Sequence, residues 1–140
     1  MASIKGGCLC GSVRYSSEAE PVMTAVCHCK HCQRQSGSAF SPLVAVPRGS
    51  LDIDRTFLTV FNDIGESGLS VKRSFCSKCG SPITSDVEAT PGLEWIKAGT
   101  LDDTTWLDPT VNIWCDSAQH WTPIAESAVR FARNPPSAQA

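Results

Sequence analysis

Cys27-His28-Cys29-Lys30-His31-Cys32 places three thiols within six residues, a spacing that packing does not explain and that suits one soft metal ion. Two further pairs flank it, Cys8-Leu9-Cys10 before and Cys76-Ser77-Lys78-Cys79-Gly80 after, and Cys115 stands alone. A Cys-x-x-Cys turn lets both thiolates reach one ion, and the glycine behind it can adopt the positive φ such a turn often needs. Alone it supplies only half of a closed, four-ligand structural zinc site. Cys8 and Cys10 can complete a tetrahedral set with Cys76 and Cys79, the alternative being that the pairs are separate surface thiols, and an ion held there would tie the start of the chain to its second half.

The central cluster has three ligands of its own, Cys27, Cys29 and Cys32. With no local fourth cysteine, it has the composition of an open, catalytic zinc site whose last position takes water or a substrate thiol. Closure by a histidine is the structural alternative. His31 is the better placed for it, because His28 would point away from its cysteine neighbours in an extended segment; both also read as ordinary surface histidines. Three thiolates on Zn²⁺ leave a negatively charged complex and a weak Lewis acid. A substrate thiolate bound there stays deprotonated yet nucleophilic, which suits making or breaking a carbon–sulfur bond better than hydrolysing a peptide. Lys30, Arg34 and Lys78 lie near enough in sequence to offset that charge, or are simply solvated. Cys115, beside Ile113 and Trp114, reads as a buried core cysteine. His120, next to Trp121, reads as pocket lining or plain surface.

The elements that must position these thiols are short strands. After the first Cys pair, 11–15 alternates like a strand, and an extended run there would point Cys8 and Cys10 to one face. Residues 23–26 form a strand that delivers Cys27, and 33–36 form a helical turn stopped by Gly37. Strands follow at 43–46, 51–53, 56–61, 71–75, 82–85, 93–98 and 111–115, with a polar turn over 62–68. Residues 125–133 read as either a short helix or an extended edge. The expectation is a mostly β fold, one compact domain of short antiparallel strands pinned by zinc, spanning 1–133 with a flexible tail over 134–140.

Composition narrows the class. The 140 residues carry 12 basic and 14 acidic side chains, with no basic run of the kind that binds nucleic acid. The apolar runs are too short to span a membrane, and the first residues lack the apolar core of a signal peptide. A cytoplasmic location is therefore expected. Eight cysteines in such a compartment point to metal or catalysis rather than a disulfide framework.

The order Cys-x-Cys, Cys-His-Cys-x-x-Cys, Cys-x-x-Cys-Gly resembles the glutathione-dependent formaldehyde-activating enzyme (GFA) family, which includes centromere protein V. The likeness extends to Gly7-Cys8-Leu9-Cys10-Gly11-Ser12-Val13-Arg14-Tyr15, to Cys32-Gln33-Arg34-Gln35-Ser36-Gly37 and to Ala98-Gly99-Thr100-Leu101-Asp102-Asp103. The resemblance implies a zinc-stapled β fold, with Cys8, Cys10, Cys76 and Cys79 as structural ligands. It also implies a second zinc on Cys27, Cys29 and Cys32 as the catalytic site, and a three-cysteine site with an exchangeable fourth ligand is expected to be the more labile of the two. The implied activity joins glutathione to formaldehyde as S-hydroxymethylglutathione, formally a carbon–sulfur lyase reaction. Asn112 departs from the pattern, since many relatives carry histidine there. An enzyme acting on a glutathione-like thiol and an aldehyde or related electrophile is the leading expectation. The alternatives are a non-catalytic zinc scaffold that binds a partner and a thiol or metal sensor.

Overall fold

Runs of β-branched and aromatic residues between glycine and proline turns become eleven strands, with one α-helix and two short 3-10 turns, in the computed structural model, which describes residues 3–135. In chain order they are β1 (Ile4–Gly7), β2 (Arg14–Ser17), β3 (Met23–Cys27), α1 (Lys30–Ser36), β4 (Ser41–Pro47), β5 (Leu51–Ile53) and β6 (Leu58–Ile64). After these come β7 (Ser70–Cys76), β8 (Pro82–Val87), β9 (Leu93–Lys97), β10 (Val111–Ile113) and β11 (Val129–Arg130). β1, β2 and β5 form a three-stranded sheet, and the other eight strands run β11-β10-β3-β4-β9-β8-β7-β6. Pairing is antiparallel except at β10, which lies parallel to both β3 and β11. The fold is mostly β, as expected, with that one parallel corner added.

β4 explains how the two sheets meet. Its apolar run is buried on both faces, the pattern of a covered central strand. Val44 and Val46 join Ile4, Val13, Tyr15 and Ile83 in a core between the sheets. Leu43 and Ala45 join Trp95, Ile113 and Trp114 in a second core on the opposite face. Each core incorporates one of the two thiol clusters. At Gly6, β1 runs so close to its partner β2 and to the turn at Thr100 that a Cβ would collide with the Tyr15 hydroxyl and the Thr100 carbonyl oxygen. Tyr15 Oη and Thr100 Oγ1 are hydrogen-bonded at 2.7 Å, and burial pushes the phenol up to about 12.

Several local expectations shift. Cys8 and Cys10 sit in a turn rather than an extended run, because Gly11 takes φ +82° and donates its N–H to the Cys8 carbonyl at 3.2 Å. β6 continues through Asn62 and Asp63 to Ile64, since Asp63 is tied to Arg73 on β7. Within 125–133 the edge alternative is the observed one, as the two residues of β11. Of the tail, 136–140 lie outside the described residues, while Asn134 accepts a hydrogen bond from Trp114 Nε1 at 2.8 Å and Pro135 is buried. Among the described residues no helix is long and apolar enough to cross a membrane.

Candidate metal centres and an adjoining cavity

The turn between β1 and β2 brings Cys8 and Cys10 against the knuckle that follows β7. The four sulfurs of Cys8, Cys10, Cys76 and Cys79 all lie within 4.8 Å of one another. Gly80, at φ +80°, closes the knuckle by donating its N–H to the Cys76 carbonyl at 2.8 Å. Backbone N–H groups also reach the sulfurs, from Val13 to Cys8 at 3.2 Å and from Lys78 to Cys76 at 3.4 Å. Burial nonetheless pushes the Cys76 thiol up. Ser81 joins the halves, accepting from Leu9 N–H and bonding Cys79 Sγ, and its hydrogen bonds pull the Cys79 thiol down to about 5. Four convergent thiols with amide support are a donor set that fits a soft ion.

On the other face, β3 ends at Cys27 and α1 begins beyond Cys29. Cys29 caps that helix, its sulfur accepting the Cys32 N–H at 3.2 Å, and Gly37 ends it in the left-handed region at φ +66°. The cap draws Cys29 and Cys32 together, and Cys32 Sγ lies 3.5 Å from Cys27 Sγ. All three sulfurs are within 4.8 Å of one another and all three residues are buried. Buried thiols this close, without a disulfide, also form a donor set that fits a soft ion.

No histidine belongs to either group. His28 is not a surface residue: it is almost fully buried, on the far side of the sheet, with Nε2 2.8 Å from Asn112 Oδ1. Asn112 therefore fixes a histidine behind the cluster rather than facing it. His31, the better candidate for closure, instead has Nδ1 2.8 Å from Asp63 Oδ2. His120 and Lys78 are exposed, and Lys78 lies over the Phe57 ring. Cys115 is half-buried, not a core residue, and approaches the Asn112 carbonyl.

The charges that face the central cluster were not those suggested by proximity in sequence. Lys30 and Arg34 are exposed. Arg73, from β7, places Nη1 3.8 Å from Cys32 Sγ, while its Nε donates to Asp63 Oδ2 at 3.0 Å. Lys97, from β9, is 6 % exposed and donates to Ser41 Oγ at 2.8 Å, with Ser41 directly opposite Cys27 in the β3–β4 register. Hydrogen bonds from Cys27 and Cys29 hold the Cys32 thiol well below its ordinary value, and Lys97 and Arg73 add to that effect. Contacts with Cys29 and Cys32, together with burial, push Cys27 well up. Burial lowers Lys97, against the opposing pull of Cys32. Nothing in the local sequence marks Arg73 or Lys97.

The cluster opens into a cavity of about 90 Å³ walled by Met23, Leu43, Trp95 and Trp114. Trp95 Nε1 is held by Thr90 Oγ1 at 2.9 Å, which fixes one wall. Trp114, the other, is the one non-glycine residue with positive φ among the described residues, at +57°. A bulky side chain in that region is a strained conformation that surrounding structure must hold.

Fold and centres together define a small cysteine-rich β protein able to hold metal on two thiol clusters. The chain belongs to the glutathione-dependent formaldehyde-activating enzyme family, whose model matches residues 3–117. It is also similar to the crystal structure of a Rhodobacter sphaeroides protein, a structural-genomics target, at 22 % identity and a TM-score of 0.58. That similarity covers 75 % of this chain and 91 % of the other, and it concerns the fold. No curated protein matches significantly.

Proposed function

We propose that the protein is a zinc-dependent carbon–sulfur lyase-type enzyme of the cytoplasm. In this reading it forms or cleaves the adduct of a glutathione-like thiol with an aldehyde or related electrophile. Cys8, Cys10, Cys76 and Cys79 hold a structural zinc within a single domain over 1–133, and Cys27, Cys29 and Cys32 hold the catalytic one. The observation that carries this reading is the central cluster itself: three buried thiols, no histidine to close the set, and a cavity at their side. Zinc there would keep a substrate thiol ionised at neutral pH. Arg73 and Lys97 supply positive charge where negative charge collects, and Asp63 holds Arg73 in place. Trp95 and Trp114 wall off water from the reacting groups.

Elemental analysis of the purified protein, with and without glutathione, tests the reading. Two zinc ions per chain are expected, with the second labile alone and retained in the presence of thiol. Formaldehyde and other small aldehydes then serve as co-substrates. Two zincs indifferent to thiol, and no turnover, would transfer the case to a non-catalytic interaction module. The observation that favours that second reading is β6, an edge strand whose Val60, Phe61 and Ile64 are exposed.

A further inference from the structure

Among the described residues, four side chains bury a polar atom that has no hydrogen-bond partner: His28 Nδ1, Gln35 Oε1, Ser85 Oγ and Thr122 Oγ1. Only Ser85 among these lines the cavity beside Cys27, Cys29 and Cys32. The register explains how it arrives there. Ser85 on β8 lies directly opposite Arg73 on β7 and opposite Trp95 on β9, and directly paired residues share a face of the sheet. One neighbour in that row thus reaches Cys32 and the other forms a cavity wall. Ser85 itself is 4 % exposed. A hydroxyl left unmatched in such a place costs stability, and apolar residues of similar size would pack without that cost.

We propose that the Ser85 hydroxyl is a substrate contact, donating its hydrogen bond to the oxygen of a small carbonyl compound held between Trp95 and the thiol cluster. This deepens the lyase reading and rests on it for the reaction. In the addition direction the thiol sulfur bonds to the carbonyl carbon, the C=O π pair moves onto oxygen, and the thiol proton ends there. No oxidant or reductant takes part. The developing negative charge lies on the atom that Ser85 contacts, with the Arg73 guanidinium one strand away, so the contact strengthens as the bond forms. The cavity, at about 90 Å³, limits the carbonyl side to compounds of a few heavy atoms. The rest of the thiol substrate must lie outside it.

The test compares zinc-loaded wild type, Ser85→Ala and Ser85→Thr in two assays. The first is turnover of glutathione with formaldehyde, acetaldehyde and a branched aldehyde. The second is binding of acetamide, an unreactive small carbonyl compound, followed by the fluorescence of the cavity tryptophans. Ser85→Ala is expected to lower kcat about 10- to 100-fold, leave the KM for glutathione within about twofold and weaken acetamide binding several-fold. Ser85→Thr, which keeps the hydroxyl, is expected to recover most of both. If turnover is present and Ser85→Ala matches wild type in both assays, the contact is wrong and the lyase reading stands. If wild type turns nothing over but binds acetamide through Ser85, the lyase reading fails and the contact stands. Absence of both turnover and Ser85-dependent binding overturns both.

Discussion

At the scale of single residues, the two thiol clusters differ in what surrounds each sulfur. Cys76 and Cys8 are embedded in the core between the sheets, and Cys79 and Cys10 close over them from two separate turns. A metal held there joins segments that have no other covalent link, and structural zinc contributes folding free energy directly. Cys79→Ser is therefore expected to unfold the protein or lower its melting temperature by many degrees, read by circular dichroism. Cys29→Ser removes one ligand from a cluster already positioned by β3 and α1, and is expected to leave a folded protein with one fewer metal ion per chain. Lys97 carries a prediction of opposite sign in the two metal states. Without metal it is a buried cation that donates to a serine and has only the Cys32 thiol as counter-charge, and its burial is costly. Lys97→Met should stabilise the metal-free protein by about 1–4 kcal/mol. In the loaded protein the same change removes a counter-charge beside the cluster and should weaken zinc retention about 10-fold or more, read by chelator competition. Stability gained in both states would mean that Lys97 does not serve the centre.

At the scale of elements, the strands matter through register. Cys27 meets Ser41, Lys97 meets Leu43, and Arg73 meets Ser85, which brings four strands' polar side chains to one face beside the helix cap. The cysteines were legible in the sequence because their spacing is local: Cys-x-x-Cys and the six-residue central run need no knowledge of tertiary structure. Most strands were legible for the same reason, from β-branched residues between glycine and proline. Arg73, Lys97 and Ser85 were not, because a charge or hydroxyl on a strand looks alike whether it faces solvent or a buried cluster. Only pairing across β4, β7, β8 and β9 decides that. His31 shows the converse, since proximity in sequence favoured it as a ligand while a carboxylate from β6 holds it elsewhere. Gly6 gives the element-scale prediction. Its strand runs so close to Tyr15 and Thr100 that a methyl group must push β1 away from β2 or break the Tyr15–Thr100 hydrogen bond. Gly6→Ala is expected to destabilise by about 1–3 kcal/mol, measured by denaturant unfolding of the metal-loaded protein. An unchanged midpoint would show that this corner yields freely.

At the scale of the whole molecule, the eight-stranded sheet is a partition with one thiol cluster on each side. The four-thiol cluster shares its core with Ile4, Val13 and Tyr15, so it fastens the three-stranded sheet onto the partition. The three-thiol cluster shares its core with Trp95, Ile113 and Trp114, which β3, β4, β9 and β10 already hold by continuous pairing. Removing metal from the two sides therefore has unequal consequences. An ion on the central cluster would have three protein ligands and a cavity beside it, and it should leave first under a chelator, with the far-ultraviolet circular dichroism unchanged and the near-ultraviolet tryptophan signal altered. The second ion should leave only at higher chelator concentration, and its loss should release β1, β2 and β5, seen as a drop in strand signal and rapid exchange of their amides. Zinc restored at that stage should re-form the sheet, because the ligand set itself directs the pairing of the two turns. Loss of both ions in one step, accompanied by global unfolding, would mean that the two cores fold as one unit and that the central cluster is as structural as its counterpart.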